Sequence, residues 1–207
     1  MTHQSGQRTV TLVPILLIML SFVPVVAGAV RLTELTGGAA ITPENARFFA
    51  APLPVMLHIV GASTYCVLGA FQFVPGFRRR RPGWHRAAGR LLIVCGLLAA
   101  LTGLWMTLFS PLPAGDDGLL SGFRILFGTA MAACILLGLA AIRRRDITRH
   151  RAWMIRGYAI GQGAGTQALI HLPAALVIGT PDGLTRTLLL GAAWVINLAV
   201  AEWIIRS

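Results

Sequence analysis

The stretch RRRRPGWHR at residues 78–86 separates two apolar segments, 52–75 and 89–109, each close to the roughly 20 residues that an α-helix needs to cross a bilayer. A second basic stretch, RRRDITRHR at residues 143–151, separates two further apolar segments in the same way. Short loops rich in Lys and Arg stay on the cytoplasmic side of a membrane. The two stretches therefore predict two cytoplasmic turns between membrane helices.

The composition agrees with a chain that lies almost entirely in the membrane. Of the 207 residues, 56% are apolar and only 12% are charged, which is typical of a polytopic membrane protein and excludes a soluble core. We predict one all-α membrane domain over residues 1–207, with a four-helix core at 52–178 and additional helices at 10–30 and 187–205. The six predicted transmembrane helices are 10–30, 52–75, 89–109, 122–142, 153–178 and 187–205.

The charged residues are mostly basic, and most of the basic residues lie in the two Arg-rich stretches. All 18 basic residues are Arg, and the formal net charge is +11 at pH 7. Because most of this charge lies in the two clusters, it indicates orientation and contact with anionic lipid head groups, and it gives little reason to expect a nucleic-acid partner. The asymmetry predicts a multi-pass protein of the bacterial cytoplasmic (inner) membrane, with both termini in the cytoplasm. The side chains expected at the head groups are Arg78, Arg79, Arg80, Arg81, His85, Arg86, Arg143, Arg144, Arg145, His150 and Arg151.

The first predicted helix has two interpretations. Its end, Ala27-Gly28-Ala29, resembles the small-residue cleavage site of a secretory signal. The apolar run is longer than the usual signal core and contains Pro14 and Pro24, which favours an uncleaved membrane anchor.

The two basic stretches also resemble each other. Arg78-Arg79-Arg80 followed by His85-Arg86-Ala87 recurs 65 residues later as Arg143-Arg144-Arg145 followed by His150-Arg151-Ala152. Two helical hairpins related by an axis along the membrane normal would explain this spacing. Chance similarity of two Arg-rich turns is the alternative.

Two histidines fall inside predicted spans, where ionisable residues are costly and each needs a partner. His58 and His171 lie on antiparallel helices at nearly the same depth, in the leaflet opposite the basic turns. Two facing imidazoles in a helix bundle suit the axial ligation of haem b, and Gly61 would leave room for the flat macrocycle. The alternative is that each His hydrogen-bonds a neighbour such as Gln167, or a Tyr or carbonyl on another helix.

The remaining polar residues carry weaker signals. His85 and His150 could in principle hold a second haem, but their Arg-rich surroundings favour head-group contact by the arginines. The three Cys are isolated within apolar segments, so they are interpreted as packing residues and a structural zinc site is not expected.

Several motifs together resemble a known family. They are HIVG at 58–61, GAFQF at 69–73, the Arg run followed by His85-Arg86, and HRAWMIR at 150–156. In these motifs the chain is similar to a bacterial membrane-protein family called domain of unknown function 2306. The resemblance implies a four-helix membrane core over the second to fifth spans and no established activity. After Arg156 the chain reads Gly165-Thr166-Gln167 where the family often has a Thr-Leu-Arg-like stretch, which leaves the importance of His171 open.

Three classes of function remain for an integral membrane protein of unassigned activity. The most specific is a haem b electron-transfer protein with His58 and His171 as ligands. The others are a small-solute or proton transporter, whose path contains the same two histidines with Gln72, Gln162 and Asn197, and a non-catalytic membrane partner or scaffold. No hydrolase nucleophile with its base or phosphate-binding Gly loop is recognisable, so whether the chain is an enzyme stays open.

Overall fold

The computed structural model describes residues 2–111, 116 and 118–207. In this part of the chain the secondary structure is nine α-helices and a short 3₁₀ turn at Phe71–Phe73, without a strand. The prediction of an all-helical membrane protein is confirmed. The helices are α1 (Thr2–Gly37), α2 (Ala46–Ala50), α3 (Pro52–Ala70), α4 (Pro75–Arg80), α5 (Pro82–Phe109), α6 (Gly118–Arg143), α7 (Ile147–Gly161), α8 (Gly163–Ile178) and α9 (Gly183–Arg206).

Five helical segments of the described chain are long and apolar enough to cross a membrane. They are Leu12–Gly37, Pro52–Phe73, Pro82–Phe109, Gly118–Arg143 and Gly183–Arg206. Many large apolar side chains on these helices are exposed, which is the surface that a lipid environment requires. We call the end of the bundle with the two Arg-rich turns the basic end, and the opposite end, where α2 lies, the α2 end.

The predicted span 153–178 is not one continuous helix. It is divided between α7 and α8 at Gln162, where the φ of −74° is helical but the ψ of 0° departs from the roughly −42° of an α-helix. Glycines flank the break at Gly161 and Gly163, and glycine is a poor helix former. Neither α7 nor α8 alone is as long as the five segments above, so this part of the chain departs from the single regular helix that hydropathy predicts.

Four helices pack in a ring. α3 packs against α5, α5 against α6, and α6 against α7, while α7 closes the ring by contacting α3. A cluster of buried side chains comes from these four helices and includes Tyr65, Leu92, Ile135 and Tyr158. Small residues allow the helices to approach closely: a Cβ on Gly61 would lie 2.9 Å from the carbonyl oxygen of Cys95.

The first and last long helices pack against this ring. α9 contacts α7 and α8, and α1 contacts α3 and α8. Pro24 has no N–H to donate to the carbonyl of Leu20, four residues earlier in α1. Gly165 of α8 lies directly on this carbonyl, so closely that a Cβ at residue 165 would overlap it. The proline and the glycine thus form one close contact between α1 and α8.

The turn between α6 and α7 is short and well capped. Arg145 has a positive φ of 60°, and the N–H of Asp146 donates to the carbonyl of Ala141 at 3.0 Å, as in a Schellman motif. The carboxylate of Asp146 then accepts a hydrogen bond from the N–H of Arg149 at 2.9 Å and caps α7. The first basic turn is different, because it contains the additional helix α4.

Candidate functional site

The break at Gln162 leaves a cavity in the bundle. α7 closes the four-helix ring as far as Gly161, and α8 then packs against α1 and α9 instead. The space between α3, α5, α6 and α8 is a cavity of about 350 Å³. It extends from Arg47 at the α2 end to Tyr65 and Met131 in the middle of the bundle. This volume lies within the range of about 300 to 1,000 Å³ that ligand pockets occupy.

His58 lines the cavity with a defined orientation. Its Nδ1 lies 2.9 Å from the carbonyl oxygen of Ala99 on α5. Because a carbonyl only accepts, Nδ1 carries the proton, and Nε2 of the neutral ring is left as the electron-pair donor. Gly103 makes room for the ring, since a Cβ there would lie 3.3 Å from Cε1 of His58. The carbonyl partner matches one of the alternatives that the sequence left open.

His171 has a different environment. It lies on α8, one turn after the cavity-lining Gln167, but is not among the cavity-lining residues. Its Nδ1 is buried and has no hydrogen-bond partner among the described residues. The side chain of Gln167 donates to the carbonyl of Leu190 at 3.1 Å, so the suggested Gln167–His171 hydrogen bond is not formed through Nδ1.

Gly61 does not face the cavity. It lies against the backbone of Cys95 and Ala99 on α5, where a Cβ would come within 3.3 Å of the amide nitrogen of Ala99. The glycine that makes room for the His58 ring is Gly103, on the neighbouring helix. Gly61 therefore contributes to the site by bringing α3 close enough to α5 for the His58–Ala99 hydrogen bond.

Arginines gather at the mouth of the cavity, at the α2 end. Arg47 and Arg124 are among the lining residues, and the guanidinium groups of Arg31 and Arg47 both lie over the ring of Phe48, at 4.1 and 4.2 Å from its centroid. Burial lowers the pKa of Arg47. Asp116 opposes this shift, and the positive charges of Arg124, Arg31 and Arg186 add to it.

Two of the acids at this end, Asp116 and Glu34, are already paired. Asp116 has a fully buried side chain that forms ion pairs with Arg124 and Arg186. Glu34 forms an ion pair with Arg31 in the next turn of α1. This cluster has no sequence signature, because its arginines are scattered over four helices and form no local motif.

A buried polar network lies beside the floor of the cavity. The hydroxyl of Tyr158 donates to the carbonyl of Cys66 at 2.6 Å, and Nε2 of Gln162 donates to the Tyr158 oxygen at 2.7 Å. Nearby, the amide of Asn197 accepts from Thr166 and donates to the carbonyl of Ala159. Of the residues suggested for a transport path, Gln162 and Asn197 are thus joined to other helices, while Nε2 of Gln72 is buried without a partner among the described residues.

The two histidines of the repeated motif occupy equivalent places in their helices. The N–H of His85 donates to the carbonyl of Arg81, and the N–H of His150 donates to the carbonyl of Asp146. Nδ1 of His150 lies 2.8 Å from the carbonyl of Gly138, whereas Nδ1 of His85 is buried without a hydrogen-bond partner in the described chain. The Arg side chains that we predicted to contact the head groups also lie at the basic end, where these two histidines are found.

Within the described residues, His, Cys, Asp and Glu side chains form no group of three that could hold a metal ion. The three cysteines are free and buried, at positions 66, 95 and 134. The cavity-lining His58 is the histidine considered further as a ligand to an occupant.

Comparison with known proteins assigns the chain to a family. No curated protein and no solved structure matches the chain significantly. Residues 55–205 match the model of a family described as "Predicted membrane protein (DUF2306)". This region includes α5, α6, α7 and α8 whole, nearly all of α3 and α9, and none of α1. Because the match covers most of the chain, the protein belongs to the DUF2306 family of membrane proteins.

Proposed function

We propose that this protein binds an apolar ligand in the cavity beside His58, and that haem b is this ligand, in an electron-transfer role. The observation that supports the proposal is the hydrogen bond from Nδ1 of His58 to the carbonyl of Ala99, inside a cavity of about 350 Å³. Histidines that bind metals usually donate their other ring N–H to a carbonyl or carboxylate, which fixes the tautomer. An axial histidine of haem needs the same arrangement.

The second axial position has two candidates. His171 has an unpartnered Nδ1, and bis-His ligation requires that its ring turn from the α8 surface into the cavity. Met131 is among the cavity-lining residues, and His/Met pairs also bind haem iron. The two pairings differ in reduction potential, because a Met ligand raises it.

An absorption spectrum of the detergent-purified protein, expressed with ample haem, tests the proposal. We expect a b-type spectrum that is lost in H58A, whereas H85A, which changes a histidine at the basic end, retains it. H171A and M131L identify the second ligand, because only the variant that lacks it changes the spectrum. Colourless wild-type protein, or an H58A variant with an unchanged spectrum, would overturn the haem proposal.

For the arrangement in the membrane, we propose six crossings, with α7 and α8 together forming the fifth and both termini in the cytoplasm of a bacterial cell. The support is the antiparallel order of the helices and the collection of both Arg-rich turns at one end. Reporter fusions at residues 79, 144 and 181 test it. Residues 79 and 144 are expected in the cytoplasm and residue 181 on the other side, and any other distribution contradicts the proposal.

The basic end supports a second, non-catalytic role as a contact with anionic lipid. Arg78, Arg79, Arg80 and Arg81 surround one turn, and the side chains of Arg143, Arg144 and Arg145 surround the other. Such clusters gain about 1 kcal/mol per basic residue near an anionic surface. In nanodiscs, we expect anionic lipid to be enriched around the wild type and less so around a variant with Gln at 143–145. Equal enrichment would exclude this role for the turn.

A further inference from the structure

We propose that the mouth of the cavity binds a carboxylate, so that the ligand beside His58 is an apolar molecule with an acidic head group held by Arg47. This inference rests on the proposed function, because it requires that the cavity hold a ligand. It goes further by naming the charge of that ligand and the side chain that recognises it. Two ligands share this chemistry, haem b with its propionates and a free fatty acid.

The charge balance at the mouth of the cavity favours a bound anion. The carboxylates of Asp116 and Glu34 are used by other arginines, namely Arg124, Arg186 and Arg31. Among the described residues, no carboxylate lies within ion-pair distance of Arg47, although its side chain is half-buried. A partly desolvated charge without a partner is unfavourable, and an anion bound there would relieve this cost.

Arg47 is held in a way that leaves its N–H donors available to a ligand. Its guanidinium lies over the ring of Phe48, 4.2 Å from the centroid, and both residues line the cavity. Stacking on an aromatic ring restricts a guanidinium without using its N–H donors. The five donors of Arg47 remain suited to the two oxygens of a carboxylate.

The walls of the cavity change from charged at the mouth to mainly apolar further in. Beyond the arginines, the cavity is lined by Leu104, Leu120 and Trp194 before it reaches Met131. A molecule whose head group is at Arg47 would place its body against these side chains. Small inorganic anions would leave that apolar surface empty, so an amphiphilic acid fits the site better.

Two pairs of probes test this inference on the full-length protein in nanodiscs. One pair is haem b and its dimethyl ester, and the other is a fluorescent fatty acid and its methyl ester. We expect each bound acid to exceed its ester in affinity by about tenfold or more, because a charge-assisted hydrogen bond contributes about 1.5 to 3 kcal/mol. The R47Q variant should lose most of this preference. R47K, which keeps the charge but not the two-pronged geometry, should lose part of it.

The control is R90Q, which makes the same change of charge at an exposed position of α5 outside the cavity lining and the proposed lipid-contact residues, and should keep the preference. If acid and ester bind equally, or if R47Q discriminates as strongly as the wild type, the carboxylate inference is wrong while the ligand-binding cavity stands. If neither form of either probe binds, the proposed function fails and this inference fails with it. Binding of the fatty acid alone supports the carboxylate site and rejects haem as the ligand.

Discussion

The hydroxyl of Ser21 in α1 lies 3.0 Å from Oε1 of Gln162, at the break between α7 and α8. Both side chains are buried, at 1% and 3% exposure. Through Gln162 the contact continues to Tyr158 and from there to the carbonyl of Cys66 on α3. One amide therefore joins α1, α3 and α7 at the level where the cavity ends, and it lies where the helix is irregular.

Removing this amide should weaken the bundle. We expect Q162L to lower the free energy of unfolding by about 1 to 2 kcal/mol, because it removes two buried hydrogen bonds between helices and leaves the Ser21 hydroxyl with the carbonyl of Leu17 in its own helix. S21A should cost less, about 0.6 kcal/mol, the average for a hydrogen bond between membrane helices. Thermal or denaturant unfolding in detergent measures both changes.

The matched control for S21A is T33A. Thr33 lies on the same helix and donates only to the carbonyl of Ala29 in its own helix, at an exposed position. We expect T33A to change stability by less than about 0.5 kcal/mol, as surface substitutions usually do. Equal effects of S21A and T33A would show that the contact between Ser21 and Gln162 does not stabilise the fold.

A second prediction follows from the close contact of Gly165 with the carbonyl of Leu20. G165A should destabilise the protein by about 1 to 3 kcal/mol, because the added Cβ overlaps a backbone atom that cannot move without shifting α1. G89A is the control, since a Cβ on Gly89 meets no atom within 4 Å. In a helix interior it should be neutral or stabilising, by up to about 1 kcal/mol. A G165A variant as stable as the wild type would mean that α1 and α8 do not approach so closely.

The sequence was sufficient to predict that the chain is helical and that the two Arg-rich turns lie at the same end of the bundle. Long apolar segments specify helices in a membrane because every backbone polar group must be satisfied within the segment. The break at Gln162 was missed, although the flanking Gly161 and Gly163 were a signal for it, because hydropathy averages over such a short irregularity. Glycine alone does not specify a break in a helix. The hydrogen bonds of the Gln162 side chain with Ser21 and Tyr158 also accompany this one, and they arise from tertiary packing.

The site was predictable only in part. His58 was identified because an ionisable side chain inside a membrane is energetically unfavourable. Its partner could not be predicted, because it is the backbone carbonyl of Ala99 and a backbone contact has no sequence signature. Arg47 and Phe48 lie on the five-residue helix α2, too short to show a periodic pattern. Their proximity to Arg124 and Asp116 arises from tertiary packing, so it cannot be predicted from the local sequence.

Ion-pair partners are also set by tertiary packing, which spacing along the sequence does not reveal. The pairing of Glu202 gives a third prediction. Glu202 lies four residues before Arg206, yet its closer partner is Arg156 on α7, with Nε–Oε1 and Nη2–Oε2 distances of 2.5 and 3.0 Å. Arg206 is 3.9 Å away and 80% exposed. In a double-mutant cycle, R156Q and E202Q should show a coupling of about 1 kcal/mol, whereas R206Q and E202Q should show about 0.3 kcal/mol or less. The opposite ranking would favour the pairing between sequence neighbours.

The turn between α6 and α7 offers a stabilising substitution. Arg145 adopts a left-handed conformation with a φ of 60°, which costs a residue with a Cβ about 1 to 2 kcal/mol. R145G should therefore raise the free energy of unfolding, by about 0.5 to 1 kcal/mol after the greater freedom of glycine in the unfolded chain is subtracted. R145A is the control, because it removes the same charge and keeps the Cβ. Denaturant unfolding of both variants in detergent separates the two effects, and an R145G variant no more stable than R145A would show that the backbone at this turn is not strained.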